Sequence, residues 1–235
     1  SNNTYLGYCT GAAGTQSTQN TFIGSKSGRS NTTASGNTFV GAVSGEFNTT
    51  GTDNSFFGNG SGNGNITGYA NTYIGSGSGQ NSNSGFCNTF VGFASGVSNN
   101  SGDYNTYIGS NSGRAATQSI NNTFVGSDSG CLTTGNDNTF IGACAGLNNT
   151  TGVNNTFIGV RSGCLNTTAN ENTFVGFASG INNTTGTRNT FIGTFAGQCT
   201  TTGTANTFVG DYSGKLSNAT ANTFYGDWSG CTVTT

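Results

Sequence analysis

The chain has no proline, no methionine and no histidine, and only 6% of its residues are charged. Without histidine it lacks the usual general base and the commonest metal ligand. No Ser or Cys has a plausible base beside it in the sequence, so an enzyme is not expected. Six Lys and Arg stand against eight Asp and Glu, a net charge of -2, which gives nucleic acid or an anionic membrane nothing to grip. No stretch is apolar enough to span a bilayer, so membrane insertion is not expected. No signal peptide precedes the repeat, which already runs at Asn3. This reads as a mature secreted product or a segment of a longer chain. Polar, glycine-rich composition often means disorder, but low charge and a strict period argue against it.

What the chain does contain is one repeat. An Asn opens each unit at 3, 20, 37, 54, 71, 88, 105, 122, 138, 155, 172, 189, 206 and 222, a spacing of 17, or of 16 after Asn122 and Asn206. The consensus is N-T-F-[IV]-G-x-x-S-G-x-x-N-T-T-G-x-x, numbered here one to seventeen. Positions five and nine are Gly in all fourteen units, and position three is always Phe or Tyr. Seventeen residues are too few for a helix pair or a propeller blade, but they suit one coil of a solenoid with a short strand at T-F-[IV]. The expected fold is all-β, a parallel β-solenoid (β-roll or β-helix) of fourteen coils of about 17 residues, forming a single domain over residues 1–235. Gly at five and nine is expected to supply positive φ or close backbone approach at corners. Stacked coils set identical side chains above one another, giving Asn and aromatic ladders.

The consensus resembles the Asn/Thr/Gly-rich repeats of bacterial surface fibres. These include the heads of trimeric autotransporter adhesins and the repeats preceding tail-fibre-type chaperone domains. The resemblance covers the whole chain and implies a parallel β-roll whose strand ends in Ile-Gly once per coil. The chain differs in carrying Phe at position three, and trimeric assembly is not carried over.

Neighbouring strand residues point to opposite faces, so an inward Phe implies an outward Ile or Val in every coil. Either a bulge turns both inward, or one ladder fills the coil while the other packs on a second layer, within the coil or from another subunit. The phenyl ladder of Phe22, Phe39, Phe90, Phe124, Phe157 and Phe191 is the candidate assembly ladder.

Other candidates are weaker. Asp211 and Asp227 share position six on adjacent coils and stand close enough to hold Ca²⁺ or act as a carboxylate pair, but two solvated acids eased by Lys215 is the simpler reading. The "GSGSG" at 75–79 suggests a phosphate loop, yet its outer glycines are the ordinary corner columns. No cofactor, metal or catalytic residue is assigned. Position twelve is a sequon Asn at Asn31, Asn48, Asn65, Asn99, Asn149, Asn166 and Asn183. These are candidate glycan acceptors on one turn stripe, although Asn-Thr-Thr-Gly is also good turn chemistry. The Thr pairs at thirteen and fourteen raise ice binding as a third possibility.

Seven Cys among the sequons suit an oxidising, extracellular or cell-surface setting. Cys131 at position ten and Cys144 at position seven of the next coil flank one Ser-Gly corner and are the expected disulfide, with Cys164 competing for Cys144. Joining Thr235 to Ser1 of a second copy continues the pattern: Asn222 to the next Asn3 is 235 − 222 + 3 = 16 residues, and Cys231 to the next Cys9 is 235 − 231 + 9 = 13, the Cys131–Cys144 spacing. Tyr5, Leu6 and Tyr8 at one end and Tyr225 and Trp228 at the other add bulk for a contact. The expected function is therefore a structural subunit of an extracellular filament, its partner itself, polymerising head to tail with a Cys231–Cys9 bond. The alternative is an adhesin head or shaft.

Overall fold

The structure is a computed structural model and describes residues 2–231. Ser1 and Thr235, which the end-to-end join involves, lie outside the described residues. The chain divides into two compact units, Ser1–Ile120 and Asn121–Thr235. The first carries seven strands, from β1 (Thr4–Leu6) to β7 (Thr106–Ile108), and the second carries seven, from β8 (Thr123–Val125) to β14 (Thr223–Tyr225). Within each unit every strand pairs in parallel with the next and in full register, Thr on Thr, aromatic on aromatic, Ile or Val on Ile or Val, with Ser55 the one exception at position two and Leu6, Phe57 and Tyr225 the exceptions at position four. No helix forms among the described residues. Both units are parallel β-solenoids with one three-residue strand per coil, as the period predicts.

The strand alternates regularly, so no bulge turns both apolar side chains inward. Position three points in: from Phe22 to Tyr107 in the first unit and from Phe124 to Phe208 in the second, these rings are 0% exposed. Consecutive rings stack at 4.7–4.9 Å, close to the strand spacing of a sheet. Position four points out and stays half-exposed, as at Ile74, Ile108, Ile158 and Ile192. This corrects the candidate assembly ladder. Phe22, Phe39, Phe90, Phe124, Phe157 and Phe191 are the core of their own coils, so no lateral neighbour can reach them. The apolar column that meets solvent is the fourth.

Two glycine columns make the coil possible, for different reasons. The Gly at five has φ between 112° and 142°, and a Cβ on Gly142 would lie 2.5 Å from the carbonyl of Gly159 in the coil above. The Gly at nine has φ near 60°, and a Cβ on Gly163 would lie 2.5 Å from the Phe157 ring of its own coil. Two further corners are left-handed without glycine. Position seven and the residue before the next coil's Asn together account for all twenty-four non-glycine residues with positive φ among the described residues, including Val43, Phe195, Tyr212 and Trp228. The fold imposes αL there whatever the side chain.

Asparagine closes the coil from inside. The Asn at position one donates from Nδ2 to the carbonyl at fifteen of its own coil and accepts at Oδ1 from the backbone N–H of the next Asn. Asn37 shows both halves, with Nδ2 to Gly51 O at 2.9 Å and Oδ1 from Asn54 N at 3.0 Å. The Asn at position twelve forms a second ladder: Asn48 Nδ2 meets Asn31 Oδ1 at 2.9 Å and Asn65 Nδ2 meets Asn48 Oδ1 at 2.7 Å. Where that ladder stops, an acceptor is orphaned. Asn65 precedes Ser82, Asn99 precedes Ala116 and Asn183 precedes Thr200, and in all three the Oδ1 is buried with no partner.

A compensation links positions three and twelve. Tyr replaces Phe in three coils, at Tyr5, Tyr73 and Tyr107, and position twelve in those coils is Gly14, Ser82 and Ala116. The phenol takes the space the Asn amide fills elsewhere; Tyr73 Oη meets Ser82 Oγ at 2.7 Å. Burial pushes the Tyr73 phenol far above its ordinary pKa, against the smaller opposing effect of its hydrogen bonds.

Candidate functional site

With strand and interior occupied by repeated residues, chemical variety is left to the corners: the one before each opening Asn, where the rings of Tyr69, Phe86 and Tyr104 pack together, and the one after the strand. Between the Gly at five and the Gly at nine the chain turns tightly: Ser61 N donates to Gly58 O at 3.3 Å and Asn63 N to Gly60 O at 3.2 Å. The Ser at eight points inward and its hydroxyl donates to the carbonyl of the next coil's aromatic residue, as from Ser61 to Tyr73 at 3.0 Å. Positions six, seven and ten project outward. Their residues differ from coil to coil, while the Gly at five, the small residue at eight and the Gly at nine hardly change.

In the first unit this corner carries Arg29 at position ten, whose Nη2 lies 3.0 Å from Glu46 Oε1 of the next coil and whose guanidinium sits 5.9 Å above the Phe47 ring. Two coils further on, position seven is Gly twice, at Gly60 and Gly77, and a cavity of about 340 Å³ opens there. In the second unit Phe195, Tyr212 and Trp228 stack in the position-seven column, with centroids 5.2 and 4.4 Å apart. The Lys215 ammonium lies 4.8 Å from the Tyr212 ring and 5.5 Å from that of Trp228, a cation–π pairing.

Asn31, Asn48, Asn65, Asn99, Asn149, Asn166 and Asn183 are all 0% exposed. They are not glycan acceptors in the folded coil, because each amide donates inward, for example Asn166 Nδ2 to Asn149 Oδ1 at 2.6 Å. The turn chemistry weighed against glycosylation is what the structure uses. The Thr at thirteen is not a free hydroxyl face either, since its Oγ1 donates to the carbonyl above, from Thr32 to Thr49 at 3.1 Å and from Thr167 to Thr184 at 3.0 Å. Asp211 and Asp227 each accept a backbone N–H from the preceding coil, Thr194 N at 2.8 Å and Asp211 N at 3.1 Å. They cap the corner, and no cluster of three or more potential metal ligands exists among the described residues. Within "GSGSG", Gly75 and Gly79 are the corner columns as expected, and Gly77 floors the cavity.

The seven cysteines are present as thiols, so the expected Cys131–Cys144 disulfide is not formed in the structure. Burial raises the Cys164 thiol, and the neighbouring Cys144 raises it further, against a lowering by Arg161. Cys144 and Cys164 are thus within electrostatic reach of one another. Cys9 is exposed and Cys231 half-buried. At the first and last described coils, Tyr5 is 38%, Leu6 66%, Tyr8 72%, Tyr225 84% and Trp228 55% exposed.

Sequence reasoning missed the position-seven corner. A column reading Lys, Val, Gly, Gly, Ala, Asn gives no hint of αL. The two consecutive glycines that make the cavity were the available signal. Compared with protein-family models, curated proteins and solved structures, the chain matches none.

Proposed function

We propose that the chain is a structural subunit of an extracellular fibre that grows by stacking coil upon coil with further copies of itself. The observation that carries this reading is that almost every cohesive contact runs from one coil to the next: strand pairing, ring stacking and both Asn ladders. Such contacts form between copies as readily as within one. The terminal members of the aromatic columns offer the surface: Tyr5 stacks on Phe22 at 5.1 Å and Trp228 on Tyr212 at 4.4 Å, each with substantial area still exposed. Assembly of this kind is heterologous and open-ended, and Cys9 with Cys231 is the candidate covalent lock. The extracellular setting rests on the seven cysteines among the sequons. An adhesin is the second reading, favoured by the variable outward corner.

The test is electron microscopy and sedimentation of the purified chain under oxidising conditions. Unbranched fibres are expected, with a meridional spacing equal to the ring spacing of 4.7–4.9 Å. Trp228→Lys or Tyr5→Lys should suppress them. A chain that stays monomeric at high concentration with Cys9 and Cys231 both alkylatable overturns the reading.

A further inference from the structure

We infer that the cavity over Gly60 and Gly77 is a binding site for a neutral saccharide ring, with Phe93 as its stacking platform. The cavity belongs entirely to the first unit. It arises because two successive coils carry no side chain at position seven. A Cβ built on Gly60 meets nothing within 4 Å, and one on Gly77 meets only the Gln80 side chain, at 3.5 Å. Val43 closes one side, and Ala94 and Phe93 close the other. At about 340 Å³ it lies at the small end of the ligand-site range of ~300–1,000 Å³, suited to a mono- or disaccharide.

Its chemistry selects the ligand. Phe93 is 63% exposed, one of the most exposed phenyl rings on the chain. An apolar ring face held out into water at the rim of a polar cavity complements the C–H face of a pyranose. Asn59, Ser76 and Gln80 line the same space, and among the described residues the side-chain hydrogen bonds of this corner go to Ser61, Asn63 and Ser78 instead. Amides donate and accept at once, which matches adjacent sugar hydroxyls. Asn63 is held in place by donating to Val43 O at 2.9 Å and Glu46 Oε2 at 3.2 Å. No charged side chain lines the cavity, and the nearby Glu46 is already neutralised by Arg29. An ionic ligand would find no counter-charge.

The fold supplies its own control for testing this. Position seven houses Tyr212 at φ 56° and Phe195 at φ 56° in other coils, so Gly77→Tyr is compatible with the corner and should fill the cavity without unfolding the coil. The probes are methyl glycosides of glucose, galactose, mannose and N-acetylglucosamine, followed by saturation-transfer NMR and titration on the full chain, with adenosine as a flat aromatic control. At least one glycoside is expected to bind. Both Phe93→Ala and Gly77→Tyr should weaken it by on the order of tenfold or more, with circular dichroism unchanged for Gly77→Tyr. Three outcomes overturn the inference: no glycoside binds, binding survives Gly77→Tyr, or adenosine binds with the same dependence on Phe93. Fibre formation is read separately and does not enter the result.

Discussion

Exchanging the residues at positions three and twelve of one coil tests the packing logic of the whole solenoid. Take the coil of Tyr73 and Ser82, both 0% exposed and joined at 2.7 Å. Tyr73→Phe removes the phenol and leaves the Ser82 hydroxyl buried without that partner, a cost of about 1–3 kcal/mol. Ser82→Asn beside an intact Tyr73 forces an amide into the space the phenol fills, an overpacking cost of about 1–3 kcal/mol. Made together, the two changes recreate the Phe-and-Asn pairing of the neighbouring coils, Phe56 with Asn65 and Phe90 with Asn99. The new amide would also reach Asn65 Oδ1, now buried without a partner, and that hydrogen bond is worth ~0.5–1.5 kcal/mol. The double variant should therefore be at least as stable as the parent. The coupling energy should be about 2 kcal/mol or more, in the upper part of the range of ~0.5–3 seen for residues in contact. Urea unfolding followed by far-ultraviolet circular dichroism measures it, with the slope checked because repeat proteins can lose two-state behaviour. If the two single costs simply add, or if the double variant is less stable than Tyr73→Phe alone, the compensation is a coincidence of three coils.

Three other outcomes follow from the same geometry. Gly163→Ala should destabilise by about 2–4 kcal/mol, since its Cβ meets the Phe157 ring as well as taking a left-handed backbone, whereas Gly60→Ala should cost only the left-handed backbone's ~1–2 kcal/mol because its Cβ enters open space; thermal unfolding compares them. Cys164, its thiol raised by burial and then by Cys144, keeps its proton to higher pH than an ordinary cysteine. Iodoacetamide should therefore label it later and at more alkaline pH than exposed Cys87, with mass-mapped peptides as the readout. The same mapping on oxidised protein decides whether Cys144 bonds Cys131 or Cys164. Replacing the buried amide in Asn166→Ala should cost about 2–4 kcal/mol, as bonds to Asn149 and from Asn183 are both lost, while no glycan should be found on Asn166 in the native protein.

The coil was legible because its constraints are absolute and repeat fourteen times. Glycine columns report backbone that admits no Cβ, and alternation at T-F-[IV] reports which apolar residue turns in. The direction of asparagine was not legible. Asn-Thr-Thr-Gly satisfies a turn from outside as well as from inside, and only the neighbouring coil, whose Asn supplies the acceptor, decides for burial. Position seven was hidden for a related reason. A Lys, Val or Tyr in αL opposes local preference, so the conformation is imposed by the inter-coil hydrogen bonds on either side, such as Lys26 N to Tyr8 O at 2.7 Å and Val43 N to Ser25 O at 2.9 Å.

That division has a consequence for where specificity can reside. Inside, the aromatic stack and the Asn ladders leave almost no freedom: a change at position three has to be matched at twelve, and a break in the ladder strands an acceptor. The sheet face is nearly as uniform, Thr at two and Ile or Val at four, and a uniform face can recognise only something with its own period, such as another copy of the chain. Positions six, seven and ten are under neither constraint, because their side chains leave the corner and meet only the coils directly above and below. One protein can therefore combine a self-templating interior with locally written sites. In this chain the written sites on that corner include an Arg29–Glu46 pair, a notch walled by Phe93, and an aromatic column with Lys215. Fibre growth should survive exchange of the Arg29–Glu46 pair or of the notch, but not of Trp228, which ends its column, and ligand binding should survive loss of fibre growth. A variant such as Gly77→Tyr that blocked both would show that corner and stack are coupled, and would refute the separation.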